Sequence, residues 1–115
     1  MSDMQPEPVD LDKLRLRFDN DEELLGEIFQ VFISETPDRR VGIEAAWTSG
    51  DLPLLTRMAH SLKGVAGTMF AEPLRQSAYD LEMAAGAEDR AVAGRLVSQV
   101  LDLLDTTAAF VGRLI

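Results

Sequence analysis

The chain has 115 residues, with 11 Lys plus Arg, 20 Asp plus Glu, a single His, no Cys and a formal net charge of −9. That length holds one ordinary domain, which buries roughly 60–70% of the surface its unfolded chain exposes, so a core without covalent staples is possible. The absence of Cys excludes a disulfide framework, a thiolate nucleophile and a zinc–thiolate site, the lone His excludes a multi-imidazole metal centre, and the surplus of acid argues against nucleic acid or an anionic membrane as partner.

No run approaches the roughly 18–20 apolar residues of a membrane span, and the N-terminus lacks the basic-then-apolar plan of a signal peptide, so a soluble, cytoplasmic, monomeric protein is expected. Residues 1–9 (MSDMQPEPV) hold two prolines, two acids and little bulk, which reads as a disordered tail or linker remnant ahead of a domain over 10–115. Asp10 can cap a short helix carrying Leu11, Leu14 and Phe18. Asn20 or Asp21 opens a long run with Leu25, Ile28, Phe29 and Phe32 on one stripe. Thr36-Pro37 is expected to interrupt it, Pro37 either kinking the helix or starting a second piece with Val41, Ala45 and Trp47. Arg39-Arg40 then reads as a solvated turn. Ser49-Gly50 is a stop, and Asp51 caps a third helix that enters through Pro53 and runs to about Met69.

A fourth helix starts near Glu72-Pro73 and reaches Ala85, with Leu74, Ala78, Leu81 and Ala85 at helical spacing and Gly86 closing it. Asp89 caps the last helix, whose apolar side reads Val92, Leu96, Val100, Leu103 and Val111. Phe29, Phe32, Trp47 and Phe110 are expected in the core, and Met58, Met69 and Met83 as packing residues. No β-alternating segment and no internal repeat appears. The expected fold is all-α, an antiparallel up-and-down four-helix bundle with a short N-terminal helix.

The third helix carries the chemistry. At the helical turn of about 100° per residue, Met58, Leu62, Val65 and Met69 all fall within about 40° of the line directly opposite His60, an apolar seam. Thr56, Lys63, Gly64 and Gly67 fall within about 60° of His60 itself, on the same face as the only imidazole. Two glycines inside a helix cost about 1 kcal/mol each relative to Ala, and a purely structural helix has little reason to carry them on its solvent side. Beside an exposed nucleophile they make room for another protein's surface. A neutral imidazole offers a free ring lone pair. Lys63, one turn away, can set an ammonium beside an anion carried on the ring. These are the parts needed to accept and release a phosphoryl group. The charge pattern agrees, because residues 52–71 contain no acid where the chain's average would put about 3.5.

Ala59-His60-Ser61-Leu62-Lys63-Gly64-Val65-Ala66-Gly67 closely resembles the signature of histidine-containing phosphotransfer (HPt) domains, the helical-bundle carriers of phosphorelays. The helix order, the Gly-Asp turn and the Leu81-Glu82 pair extend the resemblance over most of the chain. It implies that His60 is the phosphoacceptor, exchanging a phosphoryl group with the aspartate of a receiver domain in a response regulator or hybrid histidine kinase. It implies that Lys63 offsets phosphate charge, that Glu82 on the following helix orients the imidazole through its other nitrogen, and that Thr56, Arg57, Gly64, Gly67 and Thr68 meet the partner. Neither metal nor cofactor is expected on this chain, Mg²⁺ belonging to the receiver. One position departs from the pattern: many members have a glycine ten residues after the histidine, where this chain has Phe70. A glycine there permits close helix approach or an unusual backbone angle, and Phe70 could instead present an aromatic to a partner.

Two other classes compete with this reading. A helical adaptor that binds a receiver or another signalling protein without carrying phosphate would not need the His60 chemistry. A carboxylate-bridged metal oxidase needs Glu-x-x-His pairs and is rejected, because the residue three before the only His is Arg57.

Overall fold

The computed structural model describes residues 7–115, which form five helices and no strand. Aspartates start four of these: Asp10 caps α1 (Leu11–Arg17), Asp21 caps α2 (Glu22–Ser49), Asp51 caps α3 (Leu52–Thr68) and Asp89 caps α5 (Arg90–Gly112). Each carboxylate accepts from the backbone N–H three residues on, at 3.0–3.2 Å. Such a cap contributes about 1 kcal/mol by satisfying a donor that the first turn leaves free. The exception, α4 (Glu72–Gly86), has Ala71 at its cap and Pro73 in its first turn, where a missing N–H costs nothing.

The four long helices close a ring, α2 against α3, α3 against α4, α4 against α5 and α5 back against α2, with α3 and α4 in the most extensive contact. This is the antiparallel bundle that the helix lengths and short turns predict. The short α1 lies at the end where α3 turns into α4, with Leu14 fully buried. Val9 is buried too, and the Asp10 N–H donates to the Phe70 carbonyl at 2.9 Å. Most of the tail expected over 1–9 falls on residues 1–6, outside the described residues, while Val9 belongs with the packed segment.

Helix α2 runs unbroken through Pro37, contrary to the expected interruption. A helix-interior proline forfeits one hydrogen bond and crowds the preceding turn, at about 3 kcal/mol. The buried ridge Leu25, Phe29, Phe32 and Thr36 continues in phase as Ile43 and Ala46 and holds the helix together across it. That phase leaves Val41 and Ala45 exposed, rather than on the apolar side of a second helix, with Trp47 half-buried. Arg39 and Arg40 are therefore helical, not a turn. Arg40 reaches α5, donating to the Leu101 carbonyl at 3.2 Å and to Asp105 at 2.7 Å.

On α4 the expected stripe Leu74, Ala78, Leu81 and Ala85 is buried, but Met83 is exposed rather than packed. On α5 the buried side is Ala93, Val97, Val100, Leu101, Leu104, Thr107 and Val111, leaving Val92, Leu96, Leu103 and Phe110 only half-buried. On α3 the buried residues are Leu52, Leu55, Ala59, Leu62, Ala66 and Met69, with Met58 and Val65 at the margin. The core side of α3 is thus rotated by about 60° from the expected seam, toward Lys63. Ala59 and Ala66 cause this, because small side chains let α4 close in where bulky ones would hold it off.

The departure at Phe70 has a backbone explanation. Its φ is +55°, in the left-handed region. Its N–H donates to the Gly67 carbonyl at 3.2 Å and the Ala71 N–H to the Ala66 carbonyl at 2.9 Å, a Schellman closure of α3. The position thus has the geometry that favours glycine, and half-burial of the ring offsets the strain. Glu88, not the expected Gly86, takes the same left-handed role after α4, at φ +58°. We expect Phe70→Gly to be more stable than Phe70→Ala by about 1 kcal/mol, inverting the usual Ala-over-Gly order within helices. Both lose the ring contacts, and only Ala keeps the strain. Urea unfolding of the two variants checks this, and equal midpoints would show that the backbone angle carries no cost.

Candidate functional site

His60 sits midway along α3 on the rim of the α3–α4 interface. The rotation of α3 turns Lys63 partly under α4 and leaves His60 beyond it, so a side chain from α4 can reach both. Glu82 does so. Its Oε2 lies 2.8 Å from His60 Nδ1 and its Oε1 lies 2.9 Å from Lys63 Nζ. Side-chain exposure falls from 66% for His60 to 27% for Lys63 and 19% for Glu82, which sets the imidazole in solvent on a half-buried ionic base. Because an ionised carboxylate only accepts, Nδ1 carries the ring proton in the neutral imidazole, and Nε2 keeps its lone pair. The Lys63 approach meets the distance but not the angle of a hydrogen bond, and is best described as an ion pair. The ammonium also lies 5.3 Å from the centre of the Tyr79 ring.

The Lys63 ammonium holds the Glu82 carboxyl below its ordinary range; burial opposes this and the His60 contact adds to it. A depressed folded-state pKa contributes stability above the unfolded value, near 4.3 for Glu, and that contribution is lost as pH falls through the folded value. The Glu82→Gln variant should therefore be less stable than the natural protein at neutral pH, with the gap closing below about pH 4.3. Urea titrations from pH 7 to pH 3 read this out. A gap independent of pH would mean that Glu82 acts by packing alone. Glu72, held low by its hydrogen bond to Arg75, contributes with the same sign in both proteins.

The two glycines of the His60 face are not demanded by the fold. A Cβ at Gly64 would meet nothing within 4 Å, and one at Gly67 would touch Arg75 Cδ at an ordinary 3.6 Å. By contrast, a Cβ at Gly94 would press on the Trp47 ring at 2.9 Å, so that glycine seats the tryptophan. Arg57 and Thr68 are exposed on the His60 side, the Thr68 hydroxyl donating to the Gly64 carbonyl at 3.1 Å. Thr56 is half-buried and its hydroxyl is taken by the Leu52 carbonyl at 2.8 Å. Residues His60, Lys63 and Glu82 are thus brought into direct contact, and Arg57, Gly64, Gly67 and Thr68 surround them on α3. No helix among the described residues is long and apolar enough to cross a membrane.

A small helical bundle with one solvent-facing imidazole, backed by a carboxylate and bordered by unneeded glycines, has the architecture of a histidine phosphotransfer module. The comparisons agree. The family model described as Hpt domain matches residues 27–110, and the chain belongs to that family. Its fold is similar to that of histidine-containing phosphotransfer protein B (HptB) from Pseudomonas aeruginosa PAO1, with a TM-score of 0.85, 22% identity and 95% of each chain covered. It is also similar to the HPT domain of an Hpt sensor hybrid histidine kinase from Shewanella, with a TM-score of 0.82, 15% identity, and 93% of this chain and 92% of that one covered. No curated protein sequence matches. Family and fold together support a histidine phosphotransfer role in two-component signalling.

Proposed function

We propose that the protein is a phosphorelay carrier whose His60 exchanges a phosphoryl group with the aspartate of a receiver domain, in the cytoplasm and as a monomer. The observation that carries this reading is the Glu82 contact at 2.8 Å, which supports a ring proton on Nδ1 and a free Nε2 in the solvent-facing imidazole. The Nε2 lone pair attacks phosphorus in line as the bond from phosphorus to the aspartyl oxygen breaks, and the receiver carboxylate leaves. No general base is needed, since Nε2 holds no proton to lose. The ring becomes a phosphorylated imidazolium, and its Nδ1–H stays on Glu82, whose negative charge balances it. Transfer back to a receiver reverses each step. The acceptor carboxylate and the Mg²⁺ are expected on the receiver, and this chain contributes the imidazole, the Lys63–Glu82 base and clearance at Gly64 and Gly67.

Incubation with a phosphorylated receiver domain, followed by mapping of the phosphate, tests the proposal. The expected product is an alkali-stable, acid-labile phosphate on His60. A protein that binds the receiver but never acquires phosphate would be the adaptor instead.

A further inference from the structure

Lys63 is one of only two lysines in the chain, and Tyr79 is the only tyrosine. Tyr79 stands on α4 one turn before Glu82, and both face the Lys63 ammonium from the same helix. An ammonium on a flexible four-carbon stem has many rotamers, and one ion pair at a partly wet surface leaves much of that freedom. A ring face within about 6 Å of the charge adds an attraction from the ring quadrupole and restricts the stem from a second direction. Tyr79 is 39% exposed, so burial in the core does not account for the placement of a large aromatic here.

We infer that Tyr79 is a positioning residue, whose ring face holds the Lys63 ammonium against Glu82 and so beside His60. This rests on the proposed carrier function. Tyr79 does not touch the reacting atoms; it acts through Lys63 by keeping the cation where a phosphoryl group on the imidazole meets it. The ring, not the hydroxyl, performs this role, and Phe should replace Tyr where Leu should not.

The test uses the full chain in three variants, Tyr79→Phe, Tyr79→Leu and Lys63→Ala, with the Tyr79→Leu/Lys63→Ala pair. Two readouts are needed, the ring-current shift of the Lys63 Cε protons in the unphosphorylated protein and the rate of phosphoryl transfer from a phosphorylated receiver. Tyr79→Phe should keep both. Tyr79→Leu should lose the upfield shift and slow transfer roughly two- to five-fold. It should add nothing further in the Lys63→Ala background, because both changes remove the same placed charge. Natural transfer rates in Tyr79→Leu, full additivity with Lys63→Ala, or loss of either readout in Tyr79→Phe would overturn the inference. Should Tyr79→Leu lose helicity, the Phe variant still decides by the last criterion. Failure of the natural protein to accept phosphate is a different result, which removes the carrier function itself while the proton shift still reports the Lys63–Tyr79 geometry.

Discussion

His60→Gln is expected to abolish phosphoryl uptake while leaving the bundle folded. The full sequence has one His, so no second imidazole can take over the phosphate when His60 is replaced. Phosphate on a carboxylate would be lost in alkali, and phosphate on a hydroxyl would survive acid, so the chemistry of the product leaves a phosphoramidate, and its loss in this variant assigns it to His60 rather than to a lysine. The side chain being replaced is two-thirds exposed, and a Gln amide can still donate to Glu82, which keeps the stability change within about 0.5 kcal/mol. Autoradiography after acid and alkali treatment, beside circular dichroism and a urea midpoint, measures both halves. Retention of a phosphoramidate in this variant would end the assignment of His60.

Gly64 should separate function from stability with opposite signs. Its missing Cβ faces open space, so the fold gains nothing from the glycine and bears its helix cost. Gly64→Ala is expected to raise stability by about 0.8–1 kcal/mol, and Gly64→Leu by a similar amount, because Leu is nearly as good a helix former as Ala. Transfer should move the other way. A side chain of Leu size one turn from His60 holds a partner back, and displacement of reacting groups by about 1 Å costs on the order of a hundredfold in rate. Melting curves and single-turnover transfer on the same samples give the comparison. Natural transfer rates in Gly64→Leu would refute close approach at this glycine, and a loss of helicity would assign it to the fold instead.

Much of this was legible in the sequence because the signals were local. The aspartate caps, the turn at Gly50-Asp51 and the regular Leu74, Ala78, Leu81, Ala85 spacing each depend on neighbours within a turn or two. The rotation of α3 was not legible, since the residues that set it are Ala59 and Ala66, whose small side chains carry little hydrophobic weight but admit α4. Pro37 misled for a related reason: its local penalty is plain in the sequence, whereas the opposing burial of Phe32, Ile43 and Ala46 comes from three-dimensional packing. At the site, the His60–Lys63–Gly64 spacing could be read along one helix. The link from Glu82 to His60 joins two helices, and only the resemblance to HPt domains pointed to it, while the ion pair of Glu82 with Lys63 was not anticipated. At Phe70 the family's glycine left an unusual backbone angle as one of two options, and the residue type itself argues against the left-handed one found.

The bridging position of Glu82 bears on how strongly a carrier should hold its cargo. An ammonium committed wholly to the phosphate would deepen that intermediate and slow its onward passage. Here Lys63 is already shared with a carboxylate, so a phosphoryl group on His60 would obtain only part of its charge, and under the proposed function the phosphorylated state would keep a high group-transfer potential. In that arrangement the acid beside the imidazole would set the height of an intermediate from which departure in either direction stays within reach.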